Sequence, residues 1–188
     1  MAGEKGQWTV SYAAAGPLAL VGLAWIFAAD RALAGARLPF LVDALLDEPA
    51  HAISAALAMG VLGFGLLQRW WLPLLAGGVL IDLDHLPAVM HLYFLTRGTP
   101  RPYTHSLAAV ALVLAAALIL RGHWRGFALA AAYGLAWHLF RDLAEGGAVS
   151  LLWPLSYHRF SLPYAAYATA MCMLAAGWLA RWRMERLF

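Results

Sequence analysis

The sequence predicts an all-α, polytopic membrane bundle of about six helices, and three observations carry that reading. Hydrophobic residues make up 63% of the 188 residues and charged residues only 12%, against about 25% charged in an ordinary soluble domain. Long stretches contain no Asp, Glu, Lys or Arg. The ionisable residues that separate these stretches gather at their ends. Such a composition excludes a disordered chain, and the single Cys172 excludes a framework of internal disulfides. The 13 basic and 10 acidic residues leave a net charge of +3 without a dense basic cluster. Membrane lipid is therefore the expected surroundings, and nucleic acid is not an expected partner. No repeat or linker divides the chain, so residues 1–188 read as one integral-membrane domain.

The helices follow in order. The first lies in the charge-free residues 6–29, with the helix itself over 12–29. A cleavable signal ending near Ala32–Ala36 is the alternative, but the apolar core exceeds the usual ~7–15 residues. The second occupies residues 49–68, with Asp47 or Glu48 as its cap and Pro49 in its first position. After a turn at Gln68–Arg69, the third takes residues 70–81. It reaches the ~20 residues needed to cross about 30 Å of hydrocarbon only by including the acidic stretch up to Pro87. The fourth covers residues 102–120, with Thr104 as its N-cap. The fifth extends the run 126–140 through Asp142, and the sixth spans 160–180.

Alternating six helices sends both termini to one side. That side collects seven Lys and Arg against two acids, and the other collects six Arg against eight acids. By the positive-inside rule the termini are cytoplasmic, in an inner-membrane, multi-pass protein.

Under that alternation Asp47, His51, Asp82, Asp84, His85, His105, His138 and Asp142 all fall on the opposite, extracytoplasmic side. Ionisable residues inside a membrane cost about 2.5–3.5 kcal/mol each on insertion scales, so they mark function and face an interior. His138 and Asp142 stand four apart and share one helix face. Asp82 and His85 share a face, and an unwinding end before Pro87 lets Asp84 join them. Asp43, one turn before Asp47, is a reserve oxygen ligand. Four His and four Asp are too many for one ion of about four ligands and suit two divalent ions bridged by a carboxylate. With no thiolate, zinc is the first choice, and manganese or iron the alternates. Asp84, between Asp82 and His85, is the expected bridge and a catalytic residue. Arg101 and Arg141 sit beside proposed ligands and are expected to bind phosphate oxygens. Ser106 is expected to orient His105 or a phosphate. His91, His123 and His158 lack carboxylate neighbours and are not assigned to the site.

These motifs resemble the YdjM-like membrane-bound metal-dependent hydrolases over residues 43–158. The resemblance rests on His51, the Asp82–Asp84–His85 segment, Thr104–His105–Ser106, His138 with Asp142, and Gly147 leading to Leu152–Trp153–Pro154. It implies a hydrolase similar to the all-helical zinc phosphoesterases; the site's place at the membrane edge, with Arg beside it, points to a lipid or lipid-linked phosphate as substrate. Where the family reads His-Arg-Gly before Thr-His-Ser, this chain has Pro100, Arg101 and Pro102; Asp43 or Asp47 is the available substitute for the missing His. Residues 12–29 lie outside the resemblance and read as an addition or an interaction surface. The alternative function is an ion or proton transporter using the Asp/His cluster as a relay. Two other readings are disfavoured: axial haem ligation, because nearly every candidate His has an Asp close by, and a metalloprotease, because H-E-x-x-H is absent.

Overall fold

The computed structural model describes residues 12–35, 38–145 and 148–187. Among them the chain forms α1 (Tyr12–Leu33), α2 (Phe40–Leu62), α3 (Phe64–Gly78), a 3-10 segment (Leu80–His85) and the one-turn α4 (Leu86–Val89). A 3-10 turn (Tyr93–Leu95), α5 (Leu107–Ile119), α6 (Gly122–Ala144) and α7 (Tyr164–Glu185) follow. The described residues contain no strand, only an isolated bridge between Val149 and Phe160, so the all-α expectation holds. Glu4, Lys5, Ala36, Arg37 and Gly147, which entered the charge balance, the signal reading or the motif, lie outside the described residues.

Three segments, Ala14–Leu33, Phe40–Leu62 and Phe64–Val89, are long and apolar enough to cross a membrane. The helix α5 is apolar but has 13 residues, about 20 Å of rise against ~30 Å of hydrocarbon. The 23-residue α6 and 22-residue α7 are long enough but less apolar. Length and hydropathy thus mark three spans rather than six.

Three boundaries move from where the charge-free runs put them. The helix α2 begins at Phe40, not near Pro49, and Pro39 precedes it with no side-chain cap. Asp47, Glu48 and His51 are therefore interior to the helix, and neither acid caps it. Charge marks a helix end only when the charge needs water; here Asp47 is paired inside the protein, so the helix runs through it. The second boundary is the α2–α3 turn, which is the single residue Gly63; Gln68 and Arg69 lie within α3. Finally, α5 starts at Leu107 with Ser106 as N-cap, its hydroxyl accepting from the Ala109 N–H. Thr104 is not the cap, and His105 stands in the loop before the helix.

The core is built from helix pairs in close approach. Ile26 of α1, Leu57 of α2 and Tyr167, Met171 and Trp178 of α7 form one buried cluster; Ala55, Met59, Leu74 and Ala130 join α2, α3 and α6 in another. The contact that positions the site is between α3 and α6. A Cβ on Gly77 would run into the Ala131 carbonyl, and one on Gly134 into the Leu74 carbonyl. Small residues let membrane helices pack backbone to backbone, and this approach carries the end of α3 onto the face of α6 that bears His138.

Candidate metal centre

Four parts of the chain converge on one buried cluster. The interior of α2 supplies Asp47 and His51, and the 3-10 segment supplies Asp82, Asp84 and His85. The loop before α5 supplies His105, and the last turns of α6 supply His138 and Asp142. All eight residues expected from the sequence as ligands fall within three groups, each able to hold a metal ion: Asp82, Asp84, His85 and His105; His51, His138 and Asp142; and Asp47, His51 and Asp82. Asp82 belongs to two of them, and its Oδ1 lies 2.9 Å from His105 Nε2, 3.4 Å from His85 Nε2 and 3.5 Å from His138 Nε2. Asp84 is more peripheral, accepting a hydrogen bond from the Thr104 hydroxyl and standing 3.9 Å from His85 Nε2.

Backbone packing orients the ligands. The Gly78 carbonyl, brought to α6 by the Gly77–Gly134 approach, lies 3.1 Å from His138 Nδ1. With Nδ1 donating there, Nε2 is left as the free lone pair, the arrangement that suits a metal-binding His. That Nε2 is 3.3 Å from Asp142 Oδ2 and 3.1 Å from His105 Nε2. The His51 and His138 rings stack at 3.9 Å.

The donor set fits a divalent cation. His51, His105, His138 and Asp142 are all 1% exposed or less. Both ring nitrogens of His51, Nε2 of His85 and Nδ1 of His105 are buried without a hydrogen-bond partner. Burying an unsatisfied polar group costs about 1–3 kcal/mol, and several in one place oppose folding unless something they bind shares the space. Imidazole nitrogens and carboxylate oxygens together match zinc, manganese or iron. Burial would lower the affinity of His105 for a proton, but the neighbouring carboxylates of Asp82, Asp84 and Asp142 outweigh it and push the imidazole up to about 9. Positive charge is what this cluster attracts.

The two arginines part company. Arg101 remains in the site, its NH1 3.1 Å from Asp142 Oδ1. It lines a cavity of about 1060 Å³ shared with Asp47, Asp82 and His85. Arg141 does not face that space as a phosphate ligand would. It is fully buried, with NH2 held 2.7 Å from Asp30 and 2.9 Å from Asp47 and NH1 paired with Glu145. Asp30 also accepts from the Tyr164 hydroxyl at 2.8 Å. Asp30 and Tyr164 were not foreseen. Asp30 ends a long apolar run and reads as a solvated helix end until its partner, 111 residues away, is known. This pairing also shows that α1 is built into the polar core rather than added to its outside.

The remaining candidates stay apart. Asp43 is exposed at the cavity edge and outside the three metal groups. Glu48 lines the cavity with a buried, unpartnered Oε2. Ser106 donates to the Tyr103 carbonyl at 2.8 Å and caps α5, so its hydroxyl is committed to the backbone and does not orient His105. His91, His123 and His158 contact Tyr93, Trp70 and Phe160 respectively, away from the cluster.

Residues 46–187 match the family model described as YdjM inner membrane protein. No curated protein and no solved structure matches the chain. The family match and the three long apolar segments support an inner-membrane location.

Proposed function

The chain belongs to the YdjM inner membrane protein family, and from that premise we propose that it is a metal-dependent hydrolase cleaving a phosphoester of a lipid or lipid-linked phosphate. The observation that carries this reading is the convergence of four His and four Asp with buried imidazole nitrogens that have no protein partner. His51, His138 and Asp142 would hold one ion, Asp84, His85 and His105 a second, with Asp82 shared between them. Asp82 suits the bridge better than Asp84 because it belongs to two groups. Asp47 stands in for the His missing from the family pattern, since it joins His51 and Asp82 and Asp43 does not.

Divalent ions bound there would supply Lewis acidity and a nucleophilic water at neutral pH. The chain's own residues do the rest. Arg101, beside Asp142 and open to the cavity, binds the phosphate oxygens; a guanidinium suits them bidentately. The Gly78 carbonyl holds the His138 tautomer, and the Thr104 hydroxyl holds Asp84. No Ser or Cys nucleophile is called for: Ser106 is buried and hydrogen-bonded to backbone, and Cys172 is exposed on α7.

In this reading α1, α2, α3, α5, α6 and α7 cross the membrane together, the 13-residue α5 packed on α6. Both termini are cytoplasmic and the site opens on the extracytoplasmic face. In a Cys172→Ser background, cysteine introduced at the exposed Leu155 should then react with an impermeant reagent in whole cells, and cysteine at Gly122 should not.

Elemental analysis of protein purified without chelator tests the whole reading. We expect on the order of two equivalents of zinc, manganese or iron, with phosphoesterase activity lost on chelation and restored by metal. Protein free of transition metal that nevertheless carries proton flux would replace the hydrolase with the relay.

A further inference from the structure

The family match begins at residue 46, so α1 and the first turns of α2 lie outside it. They supply no member of the three metal groups, yet they build much of the cavity wall. Phe27 and Leu33 of α1 and Phe40 and Ala44 of α2 line it together with Ala88 and Val89 of α4, and Asp30, Arg31 and Asp43 of the same corner also border it. The metal-group residues Asp47, Asp82 and His85, and Arg101, line the same space. Phe40 and Val89 are 44% and 48% exposed and mark the mouth; Phe27 and Leu33 are half-buried within. At about 1060 Å³, the cavity lies just above the ~300–1,000 Å³ usual for small-ligand sites. A phosphate alone would leave the apolar wall unfilled, and an apolar molecule alone would strand the charged floor. One occupant meets both.

We propose that the corner formed by α1 and the start of α2 is the binding subsite for the hydrocarbon chain of a phosphate-bearing amphiphile. Selection of the chain then resides in the part of the protein outside the family match, and bond cleavage in the part inside it. The phosphate end of this assignment rests on the phosphoesterase reading; the apolar subsite stands on the wall itself. Two polar contacts tie Asp30 at this corner to α6 and α7: Arg141 at 2.7 Å and Tyr164 at 2.8 Å. A chain arriving from the bilayer is already in hydrocarbon, so the corner selects by packing fit rather than by the hydrophobic effect.

The test is equilibrium binding of hexadecylphosphonate and butylphosphonate to the metal-loaded, full-length protein in nanodiscs, corrected for partition into empty nanodiscs. Wild-type protein should prefer the long chain by about tenfold or more. Phe27→Trp and Leu33→Trp, which fill the corner, should weaken hexadecylphosphonate about tenfold more than butylphosphonate. No chain-length preference, or equal weakening of both ligands in both variants, overturns the subsite; so does failure of either ligand to bind. Failure of the phosphoesterase reading looks different. Hexadecyl phosphate that binds with the expected preference but is never hydrolysed removes the reaction and leaves the corner standing.

Discussion

Two buried polar clusters meet at Asp47, and they are built on opposite plans. Around Arg141, carboxylates from α1, α2 and α6 surround one guanidinium, with ion-pair distances of 2.7 and 2.9 Å to Asp30 and Asp47. That cluster has its cation built in, although Asp47 Oδ1 and Arg141 Nε have no hydrogen-bond partner. Around Asp82 and Asp142, imidazoles face one another and the carboxylates, most pairs stand 3.3–3.6 Å apart, and ring nitrogens lack partners. That cluster is arranged around a space. Both are largely buried, so burial alone does not distinguish a structural ion pair from a metal centre. What separates them is the group at the centre: a guanidinium paired with carboxylates in one, and imidazole nitrogens without partners in the other.

The comparison breaks most sharply at Asp82. Asp82→Ala should remove both metal equivalents and abolish hydrolysis, while circular dichroism still reports a folded helical protein. Asp84→Ala should lose one equivalent at most, and a variant that keeps full metal and activity at Asp82 instead would reverse the assignment of the bridge.

On the other side of the comparison, Arg141→Ala strands Asp30, Asp47 and Glu145 without their cation. Removing one partner of a buried ion pair costs about 3–5 kcal/mol, read as a fall in the unfolding midpoint. Adding Asp30→Asn should recover part of that loss, because it removes one of the stranded charges. A phosphate ligand would behave otherwise, raising KM with little change in stability.

A third variant joins the two. Gly134→Ala places a Cβ against the Leu74 backbone, parts α3 from α6 and withdraws the Gly78 carbonyl from His138. Loss of such an orienting bond lowers metal affinity about 10–100-fold, measurable by competition with a chelator. The smallest effect belongs to Ser106→Ala: loss of a helix cap costs about 1 kcal/mol, with metal content unchanged.

The metal cluster was legible because its signals are local. His138 and Asp142 four apart on a helix, and Asp82, Asp84 and His85 at a helix end, bring ligands together by spacing that holds in any packing. The Arg141 network was not legible for the converse reason. Its spacing within α6 points equally to a phosphate ligand, and only the packing of α1 against α6 brings Asp30 to it. The start of α2 was misplaced for the same cause, because Asp47 reads as a boundary until its buried partners are known. Helices α6 and α7 show the limit of hydropathy itself: a helix that packs among others needs less apolar surface than one facing lipid, so its composition carries a weaker sign of the membrane; α5 is apolar and falls short in length alone.

The pairing of Asp30 with Arg141 also sets an order on biogenesis. During synthesis α1 and α2 reach the translocon first, carrying Asp30 and Asp47 without their cation, and each exposed acid disfavours insertion by about 2.5–3.5 kcal/mol. The neutralising guanidinium emerges 111 residues after Asp30. Until α6 docks, both acids lack the guanidinium that pairs with them in the folded protein, so α1 and α2 reach their final packing only after residue 141 has been made.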